Sequence, residues 1–176
     1  MTENFEAAFR IVVGDEGVFS DDPGDPGGET KYGRDQASWR DTLARLPADV
    51  RTRMPARTRD LSLAQAEETY LYAEWLWCKC DQLPPPLALL AFDCAVNPGP
   101  GWAPLALQRA LGVRPDGDIG PVTLAAAGSA DPAQVVAAMT SARLDHYRVQ
   151  QTFAEFGRGL VLRSLRTAFE AGRLAA

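Results

Sequence analysis

The chain has 176 residues and a mass of 19.0 kDa, which suits one domain with one sizeable core and excludes a disulfide-stapled miniprotein. Hydrophobic residues make up 46% and charged residues 23%, so wholesale disorder is excluded too. The net charge of -5 comes with no long basic tract and argues against nucleic acid as a primary partner.

Charge is unevenly spread. Residues 1–35 hold nine acids against three bases, whereas residues 36–60 hold three against six, including the basic patch Arg51 to Arg59. That patch reads as a solvated connection, and it is the only support for a DNA-associated role. Cys78, Cys80 and Cys94 begin with a C-x-C pair, and His146 is the one histidine, a set that does not make a zinc site. The cysteines read as small core residues, reduced, in a protein made in the cytoplasm. No cofactor or metal is expected. The opening MTENFEAAFRIVVGDEG carries acids where a signal peptide needs positive charge, so no export signal is expected. The longest mostly apolar stretch, LPPPLALLAF, is too short for stable membrane insertion.

Phe5, Ala8, Phe9, Val12 and Val13 follow a helical period, with Gly14 as a stop. Residues 17–33 then hold five Gly, two Pro and three Asp, which predicts a structured loop or small hairpin. Helices are expected over residues 35–46 and, from a Ser62/Gln65 capping box, over residues 62–80. PLALLAFDCAVN is apolar nearly all round and predicts a central helix ended by Pro98 and Gly99. A short helix over 103–111, a Gly/Asp/Pro turn into TLAAAG, a long helix from Pro132 to about residue 154 and an amphipathic helix over 158–171 complete the chain. The expected fold class is all-α, with an irregular insertion after the first helix. One domain over 1–176 is expected, with a loop-bearing part at 1–97 and a helical part at 98–176.

The chemistry concentrates where that insertion begins. Glu16 opens the loop, Asp25 lies nine residues on and Thr30 fourteen on. This set offers a proton donor, a water-polarising carboxylate and a water-orienting hydroxyl, the groups that glycosidic hydrolysis needs. Asp-rich Gly/Pro loops also serve as plain turns. A calcium site built from Asp21, Asp22, Asp25 and Glu29 is the other reading, but the segment lacks the required ligand order and two prolines interrupt it.

The string EGVFSDDPGDPGGETKYG resembles the signature of glycoside hydrolase family 108, phage and bacterial muramidases that usually read E-G-G-[YF], a polar stretch, then D-P-x-D-P-G-G-x-T-x-[YF]-G. EWLWCKCDQLPPPLALLAFDCAVNPGPGWAPLALQRALG is similar to that family's middle segment. RPDGDIGPVTLAA and the R-x-x-x-Y at Arg143 to Tyr147 are similar to its C-terminal peptidoglycan-binding-type region. The resemblance spans nearly the whole chain. It implies a lysozyme-like helical fold that cleaves the β-1,4 bond between N-acetylmuramic acid and N-acetylglucosamine.

Carried onto this sequence, the family's motif glutamate falls on Glu16, the general acid, whose pKa should be raised by apolar neighbours such as Val13, Val18 or Phe19. Asp25 and Thr30 fall on positions that hold water, with Asp22 as the rival base and loop structure as the other use of Asp25. Inversion suits carboxyl groups about 6.5–9.5 Å apart, and a covalent route about 5–5.5 Å. Gly27 and Gly28 allow close backbone approach to a sugar or a positive φ. Tyr32 stacks on a pyranose or packs under the loop, and Asn97 bonds an N-acetyl group or caps its own helix. Trp75 and Trp77 read as core, and His146 as an ordinary helix residue.

The resemblance implies peptidoglycan as partner, delivery by a holin or phage-like particle, and a monomer that acts in the periplasm or cell wall. Val18, Arg34 and Leu160 depart from the family pattern, with Arg34 placing a cation where Asp35 or a substrate carboxylate can meet it. Competing readings are a catalytically weak wall-binding module of a phage-like particle and a lytic transglycosylase.

Overall fold

Phe5, Ala8, Phe9 and Val12 form the buried face of the first helix, α1 (Glu3–Val12). Its acids lie in the first turn and Arg10 in the last, matching the helix dipole, and Gly14 closes it at φ 66°. The computed structural model describes residues 3–14 and 29–175, arranged as two compact units, Met1–Trp77 and Cys78–Ala176. The division expected at residue 97 falls inside the second unit. The described residues are predominantly helical, with one two-stranded hairpin.

In the first unit, β1 (Thr30–Lys31) pairs antiparallel with β2 (Arg34–Asp35), with Thr30 opposite Asp35 and Lys31 opposite Arg34. Tyr32 and Gly33 form the two-residue turn, at φ 50° and 73°, the paired left-handed conformation that matches strand twist. The expected loop-or-hairpin therefore contains a hairpin in its described part. The helix expected from residue 35 starts later, as α2 (Trp39–Ala44), because the Asp35 carboxylate accepts from the Ser38 N–H at 2.8 Å and its Oγ at 2.6 Å. After α3 (Ala48–Arg51), a 3-10 turn over Thr58–Asp60 leads to α4 (Leu63–Tyr70), which opens on the expected Ser62/Gln65 capping box.

The single helix expected over 62–80 is not uniform. It widens to π geometry over Leu71–Leu76, and Lys79 adopts φ 48° before a 3-10 turn at Cys80–Gln82. Aromatic packing supplies the reason. Residues five apart on an α-helix point about 140° apart, whereas i to i+5 spacing aligns them. Tyr70 and Trp75 can then both meet α1, where Phe9 packs on Tyr70 with centroids at 5.5 Å and Phe5 on Trp75 at 5.7 Å. Trp75 is core as expected, but Trp77 is 55% exposed, a correction to its placement in the core.

The second unit is built around α5 (Pro85–Val96), whose residues Pro86 to Ala95 are all buried. It packs with α6 (Trp102–Ala110), α8 (Pro132–Arg148) and α9 (Phe153–Leu174), while α7 (Pro121–Ser129) follows the Gly/Asp turn. The break expected after residue 154 comes earlier, at residues 149–152, so Phe153 begins α9 instead of ending α8. Cys78, Cys80 and Cys94 are buried thiols, and burial pushes Cys94 up to about 12.

Asp93 on α5 is fully buried and ties three helices together. It accepts from Arg143 Nη1 of α8, and from Arg163 Nε of α9 at 2.8 Å. Arg143 Nε donates to the Tyr147 hydroxyl at 2.7 Å, which donates to the Asn97 carbonyl and Oδ1 at 3.1 Å. Burial alone would lower the Arg143 pKa, but attraction to Asp93 outweighs it and holds the guanidinium above its usual value. Asp93→Asn leaves Arg143 buried without a counter-charge, and a loss of about 3–5 kcal/mol is expected, read from the urea midpoint. Arg163→Gln, at a side chain 32% exposed, is expected to cost less.

Candidate functional site

The hairpin carries two of the expected site residues, and two charge clusters hold it. On its inner side Arg34 is 7% exposed and Glu74 2%. The guanidinium spans both oxygens of Glu74, Nη1 to Oε1 at 2.8 Å and Nη2 to Oε2 at 2.5 Å. Its Nε donates to Thr69 Oγ1 at 2.9 Å, and it lies 3.5 Å from the Tyr70 ring centroid. Burial pulls the Arg34 pKa down, but Glu74 outweighs it and the net shift is upward. The Tyr70 hydroxyl donates to the Tyr32 carbonyl at 3.1 Å. It also fills the space at Gly33, where a Cβ would sit 2.6 Å from that oxygen.

On the outer side Glu29 is buried beneath two arginines. Arg57 donates from Nε at 3.2 Å and Nη2 at 2.8 Å, and Arg59 from Nε at 2.5 Å. The Glu29 carbonyl accepts from the Gln36 N–H at 3.0 Å and from Thr58 Oγ1 at 3.2 Å. The Arg59 side chain beside it, helped by Arg57, lowers the Glu29 pKa against an opposing desolvation.

Thr30 lies on β1, partly exposed and opposite Asp35. Tyr32 occupies the turn, half-buried, with Lys31 Nζ 5.6 Å from its ring centroid. The structure thus brings Thr30 and Tyr32 onto one hairpin. Asn97 belongs to the second unit, where it ends α5 and its Oδ1 accepts from Tyr147. Glu16, Asp25, Gly27 and Gly28 lie outside the described residues, as do Asp22 and Val18.

Several expectations need correction. The carboxylate that holds Arg34 is that of Glu74, inside the core, with Asp35 only a weaker electrostatic neighbour. The basic segment is not merely solvated, since Arg57 and Arg59 hold Glu29 and Trp39 Nε1 donates to the Pro55 carbonyl at 3.0 Å. Of the four oxygen ligands weighed for calcium, Glu29 accepts from those arginines, and Asp21, Asp22 and Asp25 lie outside the described residues. Among the described residues no group of three His, Cys, Asp or Glu is placed to hold a metal. Leu160 is partly exposed on α9, and His146 is half-buried, with its ring centroid 5.4 Å from that of Trp102. Glu74 escaped the sequence reading, although an acid inside YLYAEWLW is itself a signal of a buried partner.

Residues 9–99, just over half the chain, match the family model described as glycosyl hydrolase 108. The chain belongs to the glycosyl hydrolase 108 family. Residues 103–159 match a second model, described as a predicted peptidoglycan domain. A solved structure of SagA from Brucella abortus is similar over 97% of this chain and 95% of its own, with 30% identity and a TM-score of 0.84. The search of curated proteins gives no match. A glycosyl hydrolase 108 chain with a peptidoglycan-type region supports a peptidoglycan hydrolase. Within the matched residues, Arg34 is neutralised by Glu74 inside the core.

Arg34→Lys keeps the charge but loses the two-pronged contact with Glu74, and a loss of about 1–3 kcal/mol is expected in thermal or urea unfolding. Glu29 generates a pH dependence. Its carboxyl titrates lower in the folded chain, so the unfolded chain takes up the proton first as pH falls. Its contribution is complete above the ordinary glutamate value of about 4.3 and is lost as pH drops through the lowered folded value. Wild type should melt above Glu29→Gln at about pH 7, with the gap closing below about pH 4.

Proposed function

We propose that the chain is an N-acetylmuramidase that cleaves the β-1,4 bond between N-acetylmuramic acid and N-acetylglucosamine, with Glu16 as general acid. The observation that carries this reading is the family match over residues 9–99, which spans Glu16, Asp25 and Thr30 and precedes the peptidoglycan-type match over 103–159. Glu16 gives its proton to the glycosidic oxygen as the bond from that oxygen to C1 breaks, through an oxocarbenium-like transition state. Water attacks C1 from the opposite face and passes its proton to Asp25, which inverts the anomeric centre. The Thr30 hydroxyl orients that water. The ties at Arg34 and Glu29 support this role, since an orienting group must keep its place.

Gly27 and Gly28 admit the sugar close to the backbone, and Tyr32 stacks on a pyranose from the hairpin turn. Asn97 offers its side-chain N–H groups to an N-acetyl carbonyl while Tyr147 holds its Oδ1. In this reading the protein is an endolysin or phage-derived wall-degrading enzyme, monomeric and delivered to the wall by a holin or phage-like particle.

Purified peptidoglycan digested with wild type should release fragments with muramic-acid reducing ends, identified by mass spectrometry. Glu16→Gln should lower their yield by about a hundredfold or more while circular dichroism stays unchanged. Anhydro-muramic ends would replace hydrolysis by a lytic transglycosylase reaction. Wall binding by wild type without fragments would replace the enzyme by a binding module.

A further inference from the structure

Helix α9 buries small residues and leaves a row of large ones exposed. Gly157, Ser164, Thr167 and Ala171 are buried where the helix packs with α5 and α8. On the opposite face Leu162, Leu165 and Phe169, spaced i, i+3 and i+7, are 50%, 51% and 67% exposed. A surface helix ordinarily buries its apolar stripe, so this exposed apolar row is left without a partner among the described residues. Three large side chains in one row also exceed the scattered exposure of an ordinary surface.

The charges beside this row are mostly positive. Residues 158–174 hold four arginines against one glutamate, in a chain of net charge -5. Arg163 turns inward to Asp93, which leaves Arg158, Arg166 and Arg173 around the stripe. Glu170 pairs with Arg173 at 3.2 Å, and Glu155 lies one turn before Arg158. No acid stands between Arg158 and Phe169.

We propose that this face of α9 docks on an anionic lipid surface. Leu162, Leu165 and Phe169 enter the boundary between headgroups and acyl chains, and the arginines reach out to lipid phosphates. The helix lies in the plane of that surface, since no helix among the described residues is long and apolar enough to cross a membrane. A second copy suits the face poorly. An antiparallel pair centred on Leu165 and Arg166 sets Arg158 beside Arg173 at both ends, and a parallel pair sets each arginine beside its own copy. An anionic bilayer answers both the apolar row and its flanking charge.

The test is co-sedimentation of the full chain with vesicles of phosphatidylcholine alone or mixed with phosphatidylglycerol, which needs no catalytic activity and so stands apart from the role of Glu16. Wild type should bind the mixed vesicles and release as salt rises. Leu165→Glu with Phe169→Glu should weaken that partition about tenfold or more, with unchanged circular dichroism because both side chains are exposed. Replacing Arg158, Arg166 and Arg173 with Gln should remove the preference for anionic lipid. Failure of wild type to bind mixed vesicles, equal binding to neutral ones, or full binding by the double variant would overturn the proposal. A wild-type dimer that the double variant dissociates, with no vesicle binding, would overturn it in favour of a second copy.

Discussion

A guanidinium buried under a two-residue turn is the constraint on which the first unit depends. Removing Arg34 and Glu74 from water is costly, and such a pair persists only when every donor and acceptor is answered. Here both Glu74 oxygens, Thr69 Oγ1 and the face of Tyr70 surround the guanidinium. Tyr70 extends the same constraint in two further directions, donating to the Tyr32 carbonyl and packing its ring against Phe9. The hairpin, the π-helical turn and α1 therefore share one set of contacts.

The hairpin's second tie has a different physical character. Glu29 is buried, but Arg57 and Arg59 are 57% and 41% exposed at their side chains, so salt weakens this tie more than the buried Arg34–Glu74 pair. Gly14 and Glu29, the ends of the interval that contains Glu16 and Asp25, are both fixed in described structure, by the close of α1 and by this tie. The roles proposed for Glu16 and Asp25 call for such fixed ends, because misplacement of a reacting group by about 1 Å costs orders of magnitude in rate.

In the second unit, two motifs met as separate family features form one network. The aspartate of AFDCAVN and the arginine and tyrosine of Arg143 to Tyr147 meet in the interior, where Asp93 also receives Arg163 from α9. Their role is to join α5, α8 and α9. Small inward residues on α9 let it approach closely enough for Arg163 to reach Asp93, and the same choice sends Leu162, Leu165 and Phe169 to the surface.

Local physics was readable from the chain alone. Period and punctuation placed α1, its stop at Gly14, the capping box at Ser62, the apolar α5 and the end of that helix, because each depends on neighbours within a turn or two. Motif spacing likewise led to the family and to Glu16, Asp25 and Thr30 as the residues to test. Long-range pairing decided the rest. Nothing near Arg34 in sequence announces Glu74 forty residues on, nothing near Asp93 announces Arg143 and Arg163, and the basic run does not reveal that two of its arginines close over Glu29. The π turn and the inverted face of α9 belong to the same class. Helical periodicity says which residues share a face, but which face turns inward is set by the partners that tertiary packing brings to it.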